Sequence, residues 1–89
     1  MKIIEGFRLR KIMGRYVIVG EGISQIDFNK LIILNPSAAF LWQSIEGKDF
    51  TTEDLSALLV EKYGVSMERA IKDTIAIVVE WLKNGLICI

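Results

Sequence analysis

Residues 66–84 read SMERAIKDTIAIVVEWLKN, and the spacing of the apolar positions in this stretch decides how the rest of the chain is read. At about 100° per residue, Ile71, Ile75, Val78 and Leu82 fall in one narrow sector of a helix, while Ala70, Thr74, Ile77 and Trp81 fall in another roughly 100° away. A helix resting on a small core buries one such sector. The other then faces a second layer of the fold or a partner. The Ala70, Thr74, Ile77 and Trp81 sector is read as the outward one. Ser66 is the natural N-cap, and Gly85 after Asn84 is the expected left-handed terminator.

Upstream, two further helices are delimited by the same signals. Asn35 can accept a hydrogen bond from the free amides of a first turn, and Pro36 stands where its missing N–H costs nothing. That helix should run to Ile45 or Glu46 with Ala38, Leu41, Trp42 and Ile45 inward, ending at Gly47. Thr51 opens the next, with Asp54 three residues on as an approximate capping box and Phe50 placed to staple against Leu55. Leu55, Leu58, Leu59 and Tyr63 form its expected buried face, and Gly64 closes it.

Before Asn35 the period changes from that of helices to that of strands. Arg8 to Met13 and Tyr16 to Val19 are expected to form a hairpin around Gly14, which can take positive φ. Lys30 to Leu34 is a third short strand whose continuous apolar run implies that both faces are covered. Three strands followed by three helices make an α+β domain with a three-stranded antiparallel sheet. With no linker, repeat or low-complexity stretch, residues 1–89 are read as one domain.

Composition narrows the function classes. The chain has 89 residues, 52% of them hydrophobic, with eleven Lys/Arg balanced by eleven Asp/Glu, one cysteine and no histidine. Such a length supports one core and a surface groove, not a roomy cavity. Imidazole chemistry, a zinc cluster and a disulfide framework are excluded, and no cofactor or metal is expected. Neither Glu53 with Asp54 nor Asp73 with Glu80 makes an acid and base pair, because no nucleophile lies near. Gly20-Glu21-Gly22 is a turn, since it lacks the rest of a phosphate-loop fingerprint. Cys88 is expected in a short terminal extension. No apolar run approaches the roughly 18 residues of a membrane span, and a cytoplasmic protein is expected.

Charge is unevenly placed: residues 1–30 hold six Lys/Arg against three Asp/Glu, and residues 31–89 hold five against eight. Arg8, Arg10 and Arg15 could dock a partner from the hairpin. A winged-helix DNA binder is disfavoured, because Arg69, Lys72 and Lys83 on the last helix are cancelled by Glu68, Asp73 and Glu80. A homodimer joined through strand edges is a further alternative. If the third strand is an edge and the last helix lies beside it, the two bound a groove suited to strand addition of an extended peptide.

The run Leu34-Asn35-Pro36-Ser37-Ala38-Ala39-Phe40-Leu41-Trp42, then Gly47, Phe50-Thr51, Asp54-Leu55, Leu59, Tyr63, Val65-Ser66, Asp73, Trp81-Leu82 and Gly85-Leu86-Ile87, resembles the PqqD-like family. The resemblance covers roughly residues 8 to 87. It implies a small winged-helix-like domain, a RiPP recognition element, that binds the leader of a ribosomally made precursor peptide. It implies no catalysis by the domain itself; the leader is presented to a modifying enzyme, a radical S-adenosylmethionine protein or another maturation enzyme. The leader would add to the third strand and lie against the third helix. By position this points to Lys30, Leu31, Ile32, Ile33 and Leu34 for the ladder, and to Ala70, Thr74, Ile77 and Trp81 for side-chain contacts. Neither nucleic acid nor a membrane is an implied partner. On this reading Trp81→Ala is expected to weaken leader binding at least about tenfold while the domain stays folded.

Overall fold

The computed structural model describes residues 1–20 and 32–89. Its elements are β1 (Lys2–Ile3), β2 (Phe7–Ile12), β3 (Arg15–Gly20), β4 (Ile32–Leu34), α1 (Pro36–Ile45), α2 (Thr52–Tyr63), α3 (Met67–Lys83) and β5 (Ile87–Cys88). The fold is α+β, with the antiparallel sheet β2-β3-β4 followed by three helices. The expected third strand is β4. Of its expected residues, Lys30 and Leu31 lie outside the described residues, as do Glu21 to Asn29.

The hairpin pairs Ile12 with Arg15 and leaves two residues at the tip. Met13 and Gly14 both have positive φ, 51° and 80°, so Met13 belongs to the turn and not to the strand. Such a pair matches the right-handed twist of the strands, although a residue with a Cβ is strained there. In register, Leu9 faces Ile18, and Ile18 faces Ile32; these sit on the side turned to the helices. On the opposite side Ile33 stands beside Val17 and is 56% exposed. The expectation that β4 is covered on both faces is therefore corrected: only Leu34 of its three residues is buried.

Each helix begins where a side chain can occupy its free amides. The Ala38 amide donates to Asn35 Oδ1 at 2.8 Å, and the Arg69 amide to Ser66 Oγ at 3.2 Å. At α2 the capping box is complete. The Asp54 amide donates to Thr51 Oγ1 at 3.1 Å and the Thr51 amide to Asp54 Oδ2 at 2.9 Å. Gly64 ends α2 in the left-handed conformation at φ 66°.

The core joins Leu41, Trp42 and Ile45 of α1 to Leu55 and Leu59 of α2, and to Ala70, Val78 and Trp81 of α3. Trp42 and Trp81 meet edge to face with centroids 5.2 Å apart. Between α2 and α3 a polar contact is buried: Ser56 Oγ donates to Thr74 Oγ1 at 3.2 Å and lies 2.9 Å from the Thr52 carbonyl. The sector read as outward is thus the inward one. Trp42, Ser56 and the neighbouring apolar side chains close over it, which a helical wheel of α3 alone cannot reveal. Tyr63, expected inside, is exposed and packs its ring perpendicular to Phe40 at 6.1 Å.

A second, two-stranded sheet was not anticipated. β1 and β5 pair antiparallel, Lys2 with Cys88 and Ile3 with Ile87, and the Ile4 amide donates to the Leu86 carbonyl at 2.9 Å. Cys88 is therefore part of a strand. Met1 is tied in as well, its amino group donating to the Phe50 carbonyl at 2.9 Å and its own carbonyl accepting from the Phe50 amide at 2.7 Å.

Candidate functional site

β4 pairs with β3 alone among the described elements, so one of its margins carries backbone groups without a strand partner there. The sheet order and the N-cap of α1 set what lies next to it. Asn35 follows directly on β4, turns the chain into α1, and also accepts from Ser37 Oγ at 2.9 Å. From Asn35 and Ser37 a groove of about 460 Å³ runs to α3, bounded by the end of α2.

Its apolar lining comes from three places in the sequence. Leu59 and Tyr63 are supplied by α2, Val65 by the α2–α3 connection, and Ala76 and Ile77 by α3. Leu59 is buried, Val65 and Ile77 are half-buried, and Tyr63 and Ala76 are exposed, so the groove has a closed floor and an open mouth. Gly64 places this wall. Its left-handed turn stops α2 right after Tyr63, so that Val65 bridges to the Ser66 cap of α3.

The polar lining is sparse. Arg69 and Asp73, one turn apart on α3, form an ion pair at 3.8 Å with both side chains well exposed. In water such a pair contributes little to stability, roughly 0 to 1 kcal/mol. It therefore leaves a cation and an anion at the lip, available to a charged group of either sign. Asn35 and Ser37 add amide and hydroxyl groups at the opposite end. Hydrogen-bonding, apolar and ionic contacts of this kind suit an extended peptide.

The nine residues expected to form the site divide sharply. Ile32 and Ile33 stand on β4, half-buried and exposed, and Leu34 is buried on the helix side. Ile77 lines the groove. Lys30 and Leu31 lie outside the described residues. Ala70, Thr74 and Trp81 are in the core, with Trp81 only 2% exposed, and cannot meet a ligand there. That assignment is corrected. Asn35, Ser37, Leu59, Tyr63, Val65, Arg69, Asp73 and Ala76 were missed as groove residues. Arg69, Asp73 and Ala76 do share one face of α3, but a mixed face of that kind reads in sequence as ordinary solvated helix.

Among the described residues no group of three or more His, Cys, Asp and Glu could hold a metal ion, and no helix is long and apolar enough to cross a membrane. Comparison with curated proteins and with solved structures found no match. A family model, coenzyme PQQ synthesis protein D, matches residues 16–87. That span takes in β3 from Tyr16 on, β4, all three helices and the start of β5, including every residue that lines the groove. The chain belongs to the PqqD family.

Proposed function

We propose that this protein is a non-catalytic carrier for the leader of a ribosomally made precursor peptide, which it holds for a modifying enzyme. The leader adds as a strand along the margin of β4 and sets its inward side chains in the groove against α3. The observation that carries this reading is the coincidence of a strand margin with no strand partner among the described elements and an apolar groove beginning at the next residue, Asn35. Family membership supports it, since synthesis of a cofactor from a peptide requires a means of delivering that peptide. A radical S-adenosylmethionine protein, or another maturation enzyme, is the partner that receives it.

Magnitudes explain why both walls are needed. A short added strand makes about four backbone hydrogen bonds, each worth roughly 0.5 to 1.5 kcal/mol net. Association costs about 4 to 15 kcal/mol. The ladder barely balances that cost, so affinity has to come from apolar leader residues covering Ile77, Ala76 and Val65, at about 25 cal/mol per Å² removed from water.

Titration calorimetry with a synthetic leader, its sequence taken from a short precursor reading frame sought in the flanking DNA, tests the reading. Ala76→Arg fills the groove from an exposed helix position, so it should weaken binding at least about tenfold while the melting curve changes little. Unchanged affinity would remove the groove from the site. Amide chemical-shift changes on adding the leader that are confined to the hairpin tip, away from β4 and α3, would argue against strand addition.

A further inference from the structure

The β2–β3 hairpin, residues 7–20, holds Arg8, Arg10, Lys11 and Arg15 and no acidic residue. Side chains alternate along a strand, and Leu9 and Ile18 point to the helices. Arg8, Arg10 and Ile12 of β2 therefore share the opposite, outer face with Arg15 and Val17 of β3. Every cation on this outer face is an arginine, since Lys11 falls on the other side, over the Tyr16 ring. Arg8 and Arg15 are exposed and have no ion pair or hydrogen bond among the described residues. Arg10 already has a partner, so the two outer arginines free for a ligand are Arg8 and Arg15, about 13 Å apart along the strands. Ile12, paired with Arg15 in register, is 47% exposed.

We propose that this outer face docks an acidic segment of a partner protein, whose carboxylates pair with Arg8 and Arg15 and whose apolar side chains cover Ile12. The planar guanidinium offers a carboxylate two parallel hydrogen bonds and is shed of water more easily than an ammonium, which suits it to an interface. Charge elsewhere on the chain steers the same way. Residues 32–89 carry five Lys/Arg against eight Asp/Glu, so the helical side repels an acidic partner while the hairpin attracts it.

The same face is poorly made for nucleic acid. The aromatic residues of the hairpin, Phe7 and Tyr16, both stand on the helix side, which leaves the arginines without a ring for base stacking. Three arginines also neutralise few phosphates. Docking here does not rest on the peptide-carrier reading. Because the face is turned away from the helices, it leaves the groove open, as an enzyme receiving a bound leader would require.

Amide chemical-shift mapping on the whole chain tests this, with a short synthetic peptide in which leucine alternates with pairs of glutamate as the probe. Shifts are expected to gather on residues 8–15 and to fade as salt is raised from about 20 mM to about 300 mM. Joint replacement Arg8→Ser and Arg15→Ser, at exposed positions, should weaken binding at least about fivefold with an unchanged melting curve. Lys48→Ser with Lys62→Ser removes the same charge from the helical side and should change affinity less than about twofold. A wild-type chain that shows no shifts at low salt overturns the proposal, and so do shifts centred on the helices. Equal losses for the two pairs of substitutions would reduce the effect to net charge and overturn it as well. Tighter binding of an oligouridine to the same residues would assign the face to nucleic acid instead.

Discussion

The indole of Trp81 on α3 stands edge to face on the indole of Trp42 on α1, with centroids 5.2 Å apart and planes at 84°. Both rings are almost free of solvent contact, so this pair ties the first helix to the last across the centre of the core. Aromatic pairs in this arrangement contribute about 0.5 to 1.5 kcal/mol beyond their buried area.

Trp81→Ala should therefore destabilise the domain by about 3 to 5 kcal/mol, a large part of what a domain this size possesses. Urea unfolding followed by circular dichroism will show a large fall in the midpoint or loss of the cooperative transition. A variant that melts like the wild type would mean that Trp81 is not central to the core.

Thr74→Val keeps the shape of a buried side chain while deleting its hydroxyl. Ser56 retains the Thr52 carbonyl as acceptor at 2.9 Å, so no donor is orphaned. The expected loss is no more than about 1.5 kcal/mol, and leader affinity should not change because Thr74 is buried. A calorimetric change in affinity larger than about threefold would contradict its place in the core.

The strained hairpin tip offers a gain in stability. Met13 adopts φ 51° beside Gly14, and Asn-Gly is the dipeptide best suited to a two-residue turn with positive φ at both positions. Met13→Asn should raise stability by about 0.5 to 1 kcal/mol, read as a higher urea midpoint with the same slope. A lower midpoint would show that Met13 makes a contact that outweighs its strain.

Thr51→Ala removes the acceptor for the Asp54 amide and breaks the reciprocal pair that starts α2. The expected cost is about 1 kcal/mol, and Thr51→Ser should recover most of it. Equal losses for Ala and Ser would mean that the hydroxyl is not what matters.

Caps, turns and periods were legible in the sequence because each depends on residues within four positions of one another. Asn35, Pro36, Thr51 with Asp54, Gly64 and Ser66 mark helix ends in the structure where local hydrogen bonding alone requires them. The order of three strands and three helices follows from those marks and from the change of hydrophobic period. Two residues near each end of the chain, Lys2 with Cys88 and Ile3 with Ile87, pair as β1 and β5 from opposite ends of the sequence and carry no such local signal.

What the sequence determined by itself was that α3 has two apolar sectors and that β4 is a short strand running straight into a capped helix. Tertiary structure decided which sector is buried and hence which residues line the groove. A helical wheel gives angles within one helix but no origin for them. That origin is supplied by Trp42 and Ser56, whose contacts turn Trp81 and Thr74 inward and leave Ala76 and Ile77 beside the groove, with Ile71 and Ile75 facing solvent.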